Sequence, residues 1–209
     1  MKDSSLIKKY KKSEDTVEKI LEAAVDLFYE HGFTKASTRQ LLGRAGMSSS
    51  AIYNHFSNKE EILFTIIHRA SDKVLQLLKK LNSQYDDPEE CLRQMISQML
   101  HLFGDEPMRK EIAIFIDELY QLPPNLREIC NRQHRKIYDI YKNKILEIKL
   151  KNRKKEAKCV DTDDAVTAFG VIGAMLWVYH WYKDDGRLPM EKISEQLLNL
   201  LFNGLKKVT

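Results

Sequence analysis

Residues Ser37 to Phe56 read STRQLLGRAGMSSSAIYNHF, and the spacing predicts two short helices joined by a tight turn. Ser37 stands where an N-cap is needed, Gln40 three residues on completes a capping box, and Leu41, Leu42 and Ala45 supply one apolar face. Gly46 then ends the helix as a residue that takes positive φ at no steric cost. Met47 plugs the turn, Ser48 caps the second helix, and Ile52 and Phe56 form its inward face at a spacing of i to i+4. The outward residues are Ser49, Ser50, Tyr53 and Asn54, all hydrogen-bonding and none negative. A helix with that surface suits the major groove of DNA.

Local charge points the same way. From His31 to Lys59 the basic residues are Lys35, Arg39, Arg44 and Lys59, and there is no Asp or Glu, so a phosphate backbone is attracted to this stretch. The plainer alternative is a helical hairpin with a solvated face. It is the flanks that favour DNA. On the N-terminal side, Ser13 to His31 carries Val17, Ile20, Leu21, Ala24, Leu27 and Phe28 at helical spacing, with Glu18, Glu22, Asp26 and Glu30 around the other side. An acidic outer face supports a DNA-reading pair and does not touch DNA widely. Before it, Met1 to Lys12 holds five lysines against Asp3, a flexible basic arm that either lies along DNA or only aids solubility.

Together, residues 14 to about 63 resemble the N-terminal domain of the TetR family of bacterial transcriptional regulators. The matching runs are ILEAAVDLFYEHGF from Ile20 to Phe33, STRQLLGRAGMS from Ser37 to Ser48 and AIYNHFSNKEEIL from Ala51 to Leu63. The resemblance implies phosphate contacts by Tyr53, His55 and Lys59, and by the capping Ser37. It leaves Ser49, Ser50 and Asn54 for base edges, Asn54 being able to pair bidentately with adenine. Arg39, Arg44 and Ser48 complete the expected DNA surface. One departure stands out, because the family usually has Gly where this chain has Ser50. A hydroxyl contact there would replace a close backbone approach.

Length and composition bound the remainder. With 209 residues, 43% hydrophobic, the chain can bury a sizeable core, and only eight Gly and five Pro favour helices, so an all-α fold is expected. Cys91, Cys130 and Cys159 are odd in number with no CxxC pairing, which suits reduced thiols in the cytoplasm. The N-terminus has no apolar leader, and Ala165 to Tyr182, the most apolar segment, is interrupted by Thr167 and His180; a buried helix and no membrane association are expected. The domain plan is a basic arm over 1–12, a helix-turn-helix domain over 13–57, a connecting helix over 58–81 opened by a Ser57/Glu60 capping box, and a larger helical domain over 82–209.

Within that larger domain, apolar residues recur at helical spacing from Pro88 to Phe103, Pro107 to Leu122 and Asn125 to Lys151, and Lys142 to Lys158 holds eight basic residues against Glu147 and Glu156. Gly170, Gly173, Ala174 and Trp177 share one helical stripe, and Pro189 starts an amphipathic final helix through Leu197, Leu201 and Leu205. Two such helices pairing with their copies give a four-helix interface, so a symmetric homodimer reading a pseudo-palindromic double-stranded operator is expected, as the family fold also implies.

Phe103, Phe115, Tyr138, Tyr141, Phe169, Met175, Trp177, Tyr179 and Trp181 are the candidates to line an apolar effector pocket, although such residues also build ordinary cores. The run WVYHWYKDDGRL from Trp177 to Leu188 resembles a segment of TetR-type regulators of fatty-acid and steroid degradation, which implies an acyl-CoA effector. Arg109, Arg132, Arg135 and Lys136 are available for its phosphates. Other readings are a multidrug-type sensor, kept open by Glu111, Asp117 and Glu118, and a constitutive DNA-binding protein without ligand. No HExxH, GxSxG or Gly-rich phosphate loop appears, so neither an enzyme nor a cofactor or metal site is expected.

Overall fold

A computed structural model describes the backbone of residues 3–154 and 162–204 and the side-chain surroundings of residues 14–153 and 162–204. The described chain is helical, without a strand. Its contacts divide it into two compact units that interleave along the sequence: the described residues up to Ala70 with Lys110–Cys130, and Ser71–Arg109 with the described residues from Asn131 on. The basic tail Met1 to Lys12 lies outside the residues whose side chains are described, as do the end of the lysine-rich run, Cys159 and Leu205.

In the first unit, helix α1 (Asp3–His31) begins at Asp3 and not near Ser13. Nothing in Ser4 to Lys12 is Gly or Pro, so no residue there stops a helix from propagating. At its other end Gly32 takes φ 76°, and Phe33 folds back to meet Phe28 edge-on at 5.2 Å. Helices α2 (Thr38–Ala45) and α3 (Ser49–Tyr53) follow, then α4 (Lys59–Gln84). Ile20, Leu27, Phe28, Leu41, Ile52, Leu63 and Ile67 form the centre of the core. The start of α4 differs from expectation by one residue: Asn58 accepts from the Glu61 N–H at 2.8 Å, while the Glu61 carboxylate reaches back to the Ser57 N–H at 2.6 Å. An Asx side chain outcompetes the neighbouring serine for the cap.

Helix α6 (Glu106–Asp117) supplies its last eight residues to this unit and stops at Asp117; a 3₁₀ turn over Leu119–Gln121 replaces the continuous helix expected to Leu122. Glu118 leaves the helical region, with φ −107° and ψ 3°, and its Oε1 accepts the Phe33 N–H at 3.0 Å.

The second unit is built on α5 (Pro88–Gly104), whose N-cap Asp87 accepts from the Glu89 and Glu90 N–H groups, and on most of α7 (Pro124–Lys154). Helices α8 (Asp164–Leu176), α9 (Val178–Trp181) and α10 (Met190–Asn203) pack on α5. Met95, Ile96, Leu100, Phe103 and Tyr141 are among its most buried side chains. Arg109 ties two segments together, donating to the Phe103 carbonyl at 2.7 Å and through both terminal nitrogens to Asp184 at 3.1 and 2.7 Å. The Asp184 carboxyl is held below its usual range by that guanidinium. Helix α8 departs from the expectation of a wholly buried helix, because Val166, Phe169 and Trp177 stand in solvent, each more than 60% exposed.

Candidate nucleic-acid interface

Local hydrogen bonds set the α2–α3 pair. Ser37 Oγ accepts the Gln40 N–H at 3.2 Å, and Gln40 Oε1 accepts the Ser37 N–H at 2.9 Å, which closes the capping box. Gly46 takes φ 63° and ψ 31°, and the Met47 N–H returns to the Leu42 carbonyl at 3.2 Å, turning the chain within one residue. Ser48 Oγ then accepts the Ala51 N–H at 3.3 Å and lies 3.0 Å from Ser50 Oγ. Ile52 and Phe56 are buried, so the opposite side of α3 is fixed outward. On it Ser49, Ser50, Tyr53 and Asn54 are all exposed, with Ser48 beside them. Arg39 is exposed on α2, and His55 is half-buried just past the end of α3.

Two of the expected cations are already engaged. Lys59 Nζ donates to the carbonyls of Phe33 and Ala36, each at 2.8 Å, and sits 4.1 Å from the Phe33 ring centre. Two of its three protons are therefore used to tie the Phe33–Ala36 loop to the start of α4, leaving one for a phosphate. Arg44 makes a two-pronged pair with Glu30, at 2.7 and 2.6 Å. The pairing holds the Glu30 carboxyl below its ordinary range and pushes the Arg44 guanidinium up. The uncompensated cations near the α2–α3 surface are thus fewer than the sequence count suggests, since Glu30, one residue before that stretch, offsets Arg44. The pairing joins residues fourteen apart and has no short-range signature.

The nine proposed pocket residues do not assemble as one set. Phe103, Tyr141, Met175 and Tyr179 are buried in the second unit, Phe103 and Tyr179 lying 6.2 Å apart between ring centres. Phe169, Trp177 and Trp181 are exposed, and Tyr138 stacks on Phe169 at 4.8 Å. Spacing of Phe169, Trp177 and Trp181 at i, i+8 and i+12 keeps helical periodicity, which is why a pattern that looks like core can be surface. Phe115 packs against the core of the first unit, away from the others in its assignment. Of the cations considered for a phosphate, Arg109 is buried and committed to Asp184, whereas Arg132, Arg135 and Lys136 are exposed on α7.

Comparison with known proteins shows the family. Residues 20–66 match the family described as bacterial regulatory proteins, tetR family, and residues 85–205 match the tetracyclin repressor-like C-terminal domain. The chain belongs to the TetR family. It is thus a helix-turn-helix DNA-binding regulator, and the matched residues 20–66 include α2 and α3. Among curated relatives, the transcriptional repressor KstR2 of Mycobacterium tuberculosis is 24% identical over 193 residues, covering 90% of this chain and 92% of that protein. The fatty acid metabolism regulator protein of Bacillus subtilis is 24% identical over 187 residues, covering 89% and 93%. Among solved structures, AibR in complex with isovaleryl coenzyme A and operator DNA superposes with a TM-score of 0.80 at 26% identity, covering 90% of this chain and 98% of that one. No described helix is long and apolar enough to cross a membrane.

Proposed function

We propose that the chain is a homodimeric transcriptional repressor, acting in the cytoplasm without catalytic activity of its own, that is released from a pseudo-palindromic operator by an acyl-coenzyme A. The observation that carries the DNA half is the outward face of α3: Ser49, Ser50, Tyr53 and Asn54 are exposed side by side, and no acid stands among them. In this reading Asn54 and the serines meet base edges, while Tyr53, His55, Ser37, Arg39 and the remaining Lys59 proton meet phosphates. The exposed apolar strip of α8 supports the dimer, since an uncovered patch of that kind marks a protein interface. One head alone contacts too little DNA for high specificity, and two heads read sites about 34–36 Å apart or a little more.

The effector half rests on the Trp177–Leu188 run and on the likeness to AibR, a protein solved with isovaleryl coenzyme A and operator DNA. Release is a population shift: the effector binds a state whose two heads no longer fit successive grooves more tightly than the state that does fit. The test is a nuclease footprint on DNA upstream of the chain's own gene, with and without a panel of acyl-CoA thioesters. A protected pseudo-palindrome that vanishes with one thioester is the expected result. Protection that survives the whole panel would retain the repressor and discard the effector class.

A further inference from the structure

Helix α7 carries two buried side-chain atoms with no hydrogen-bond partner, the Tyr141 hydroxyl and Gln133 Oε1. Tyr141 is only 1% exposed and is among the largest fully buried side chains of the protein. A phenol enclosed in this way gives up its hydration, and without a partner that loss is uncompensated. Enclosure also pushes its acidity far down, so the group stays a neutral donor. Gln133 Oε1 makes the opposite demand, because an amide oxygen only accepts.

The two atoms stand eight residues apart on one helix, about 12 Å along its axis. Their order matches a polarity along α7. Exposed Arg132, Arg135 and Lys136 lie around Gln133 in sequence, while Tyr141 is enclosed within the second unit. From Arg132 to Tyr141 the helix runs from exposed cations, to an acceptor that needs an N–H, to an enclosed donor, and the next cation that is buried, Lys144, is already paired with Glu147 at 2.6 Å.

We infer that α7 holds the effector lengthwise, with the Tyr141 hydroxyl donating to a carbonyl beside an apolar acyl group and Gln133 Oε1 accepting an amide N–H farther along the same molecule. The ligand class is an acyl thioester on an amide-bearing, anionic arm. Exposed cations at the Gln133 end then face the anionic part. A free fatty acid lacks the N–H and leaves Gln133 unanswered. The inference rests on the acyl-coenzyme A reading above and gives it contact atoms.

Tyr141→Phe removes one oxygen and keeps the ring, so it tests the hydroxyl alone. In the free protein no partner is lost, and the melting temperature is expected to hold or rise, by up to about 2–4 °C for each kcal/mol of relieved desolvation. Isovaleryl-CoA should bind the full-length variant about tenfold more weakly than the parent in calorimetry, with operator affinity in the absence of ligand unchanged. Isovaleryl-N-acetylcysteamine, which keeps the thioester and one amide, should bind better than free isovalerate.

A fall in the melting temperature of free Tyr141→Phe would mean that the hydroxyl is already partnered, and would overturn the inference. So would equal affinity of variant and parent for isovaleryl-CoA, or isovalerate binding as well as the thioesters. If the parent binds no thioester in a panel of short, long and steroid-derived acyl-CoAs, the effector reading itself has failed and the inference falls with it. The melting temperature of the free variant then still separates the two failures, by deciding whether the Tyr141 hydroxyl is unpartnered.

Discussion

Helices α3 and α8 both present an uncovered face to water, and the two faces have opposite chemistry. On α3 and its C-cap the exposed side chains include Ser49, Ser50, Tyr53 and Asn54; on α8 and its C-cap the large exposed apolar ones are Val166, Phe169 and Trp177. Water solvates the first set at little cost and is a poor solvent for the second. Exposure in one chain therefore has two meanings: a polar face is ready for a partner that offers hydrogen bonds, and an apolar face is one whose partner is missing. The partner proposed above for α3 is DNA, and for α8 a second copy of the chain.

The largest effect should come from turning one face into the other. Phe169→Glu places a charge where two copies are expected to meet, and a buried unpaired carboxylate is not tolerated. The variant should sediment as a monomer at micromolar concentration and, having lost the gain from two linked heads, bind a full operator at least about 100-fold more weakly. A variant that remains dimeric with operator affinity intact would remove α8 from the interface.

A smaller effect is expected on the polar face. Asn54→Ala should cost about 1–3 kcal/mol against the preferred operator and much less against unrelated DNA, so discrimination narrows. Tyr53→Ala should weaken both alike, because a phosphate contact carries no base information. Competition gel shifts with specific and random duplexes measure both. Equal loss of discrimination in the two variants would erase the proposed division of labour on α3.

Next in size is the turn that aims this face. Gly46 takes φ 63°, and an added Cβ there meets nothing within 4 Å, so a side chain at this position is opposed by backbone geometry alone. Gly46→Val should lower stability by about 1–2 kcal/mol, a fall of several degrees in melting temperature. Gly46→Asn should lose less, since Asn visits that conformation more readily. If valine and asparagine cost the same, the left-handed turn is not what the glycine provides.

These turns are also where the sequence was most legible. Ser37 with Gln40, Gly46 and Ser48 act within four residues of themselves, so the α2–α3 pair follows from local hydrogen bonding. Contacts made across long separations left no comparable trace. Glu118 bonds the Phe33 N–H from 85 residues away, and Lys110 pairs with Asp26 at 2.8 Å, yet neither residue carries a mark of its partner. The aromatics of the larger domain were legible as helical stripes but not as inside or outside. A stripe looks alike in sequence whether it is enclosed, as Phe103 and Tyr179 are, or largely open to solvent, as Phe169 and Trp177 are.

The finest test concerns Arg44, which the structure holds in a two-pronged pair with Glu30. Arg44 and Glu30 are both exposed enough for water and salt to screen them, so their pairing adds little to stability. Its consequence for DNA is larger, because Glu30 both occupies the guanidinium and repels phosphate. Glu30→Gln frees Arg44 without changing the size of the side chain. Operator affinity at low salt should rise a few-fold, and the slope of log affinity against log salt should steepen by about one, as expected for one more phosphate contact. The melting temperature should barely move. Arg44→Gln on its own should leave that slope nearly unchanged if the guanidinium stays paired when DNA is bound, and flatten it by about one if DNA takes it from Glu30. A slope unaltered in both variants would place Arg44 outside the DNA surface, and would narrow the polar face to the residues of α3 and Arg39.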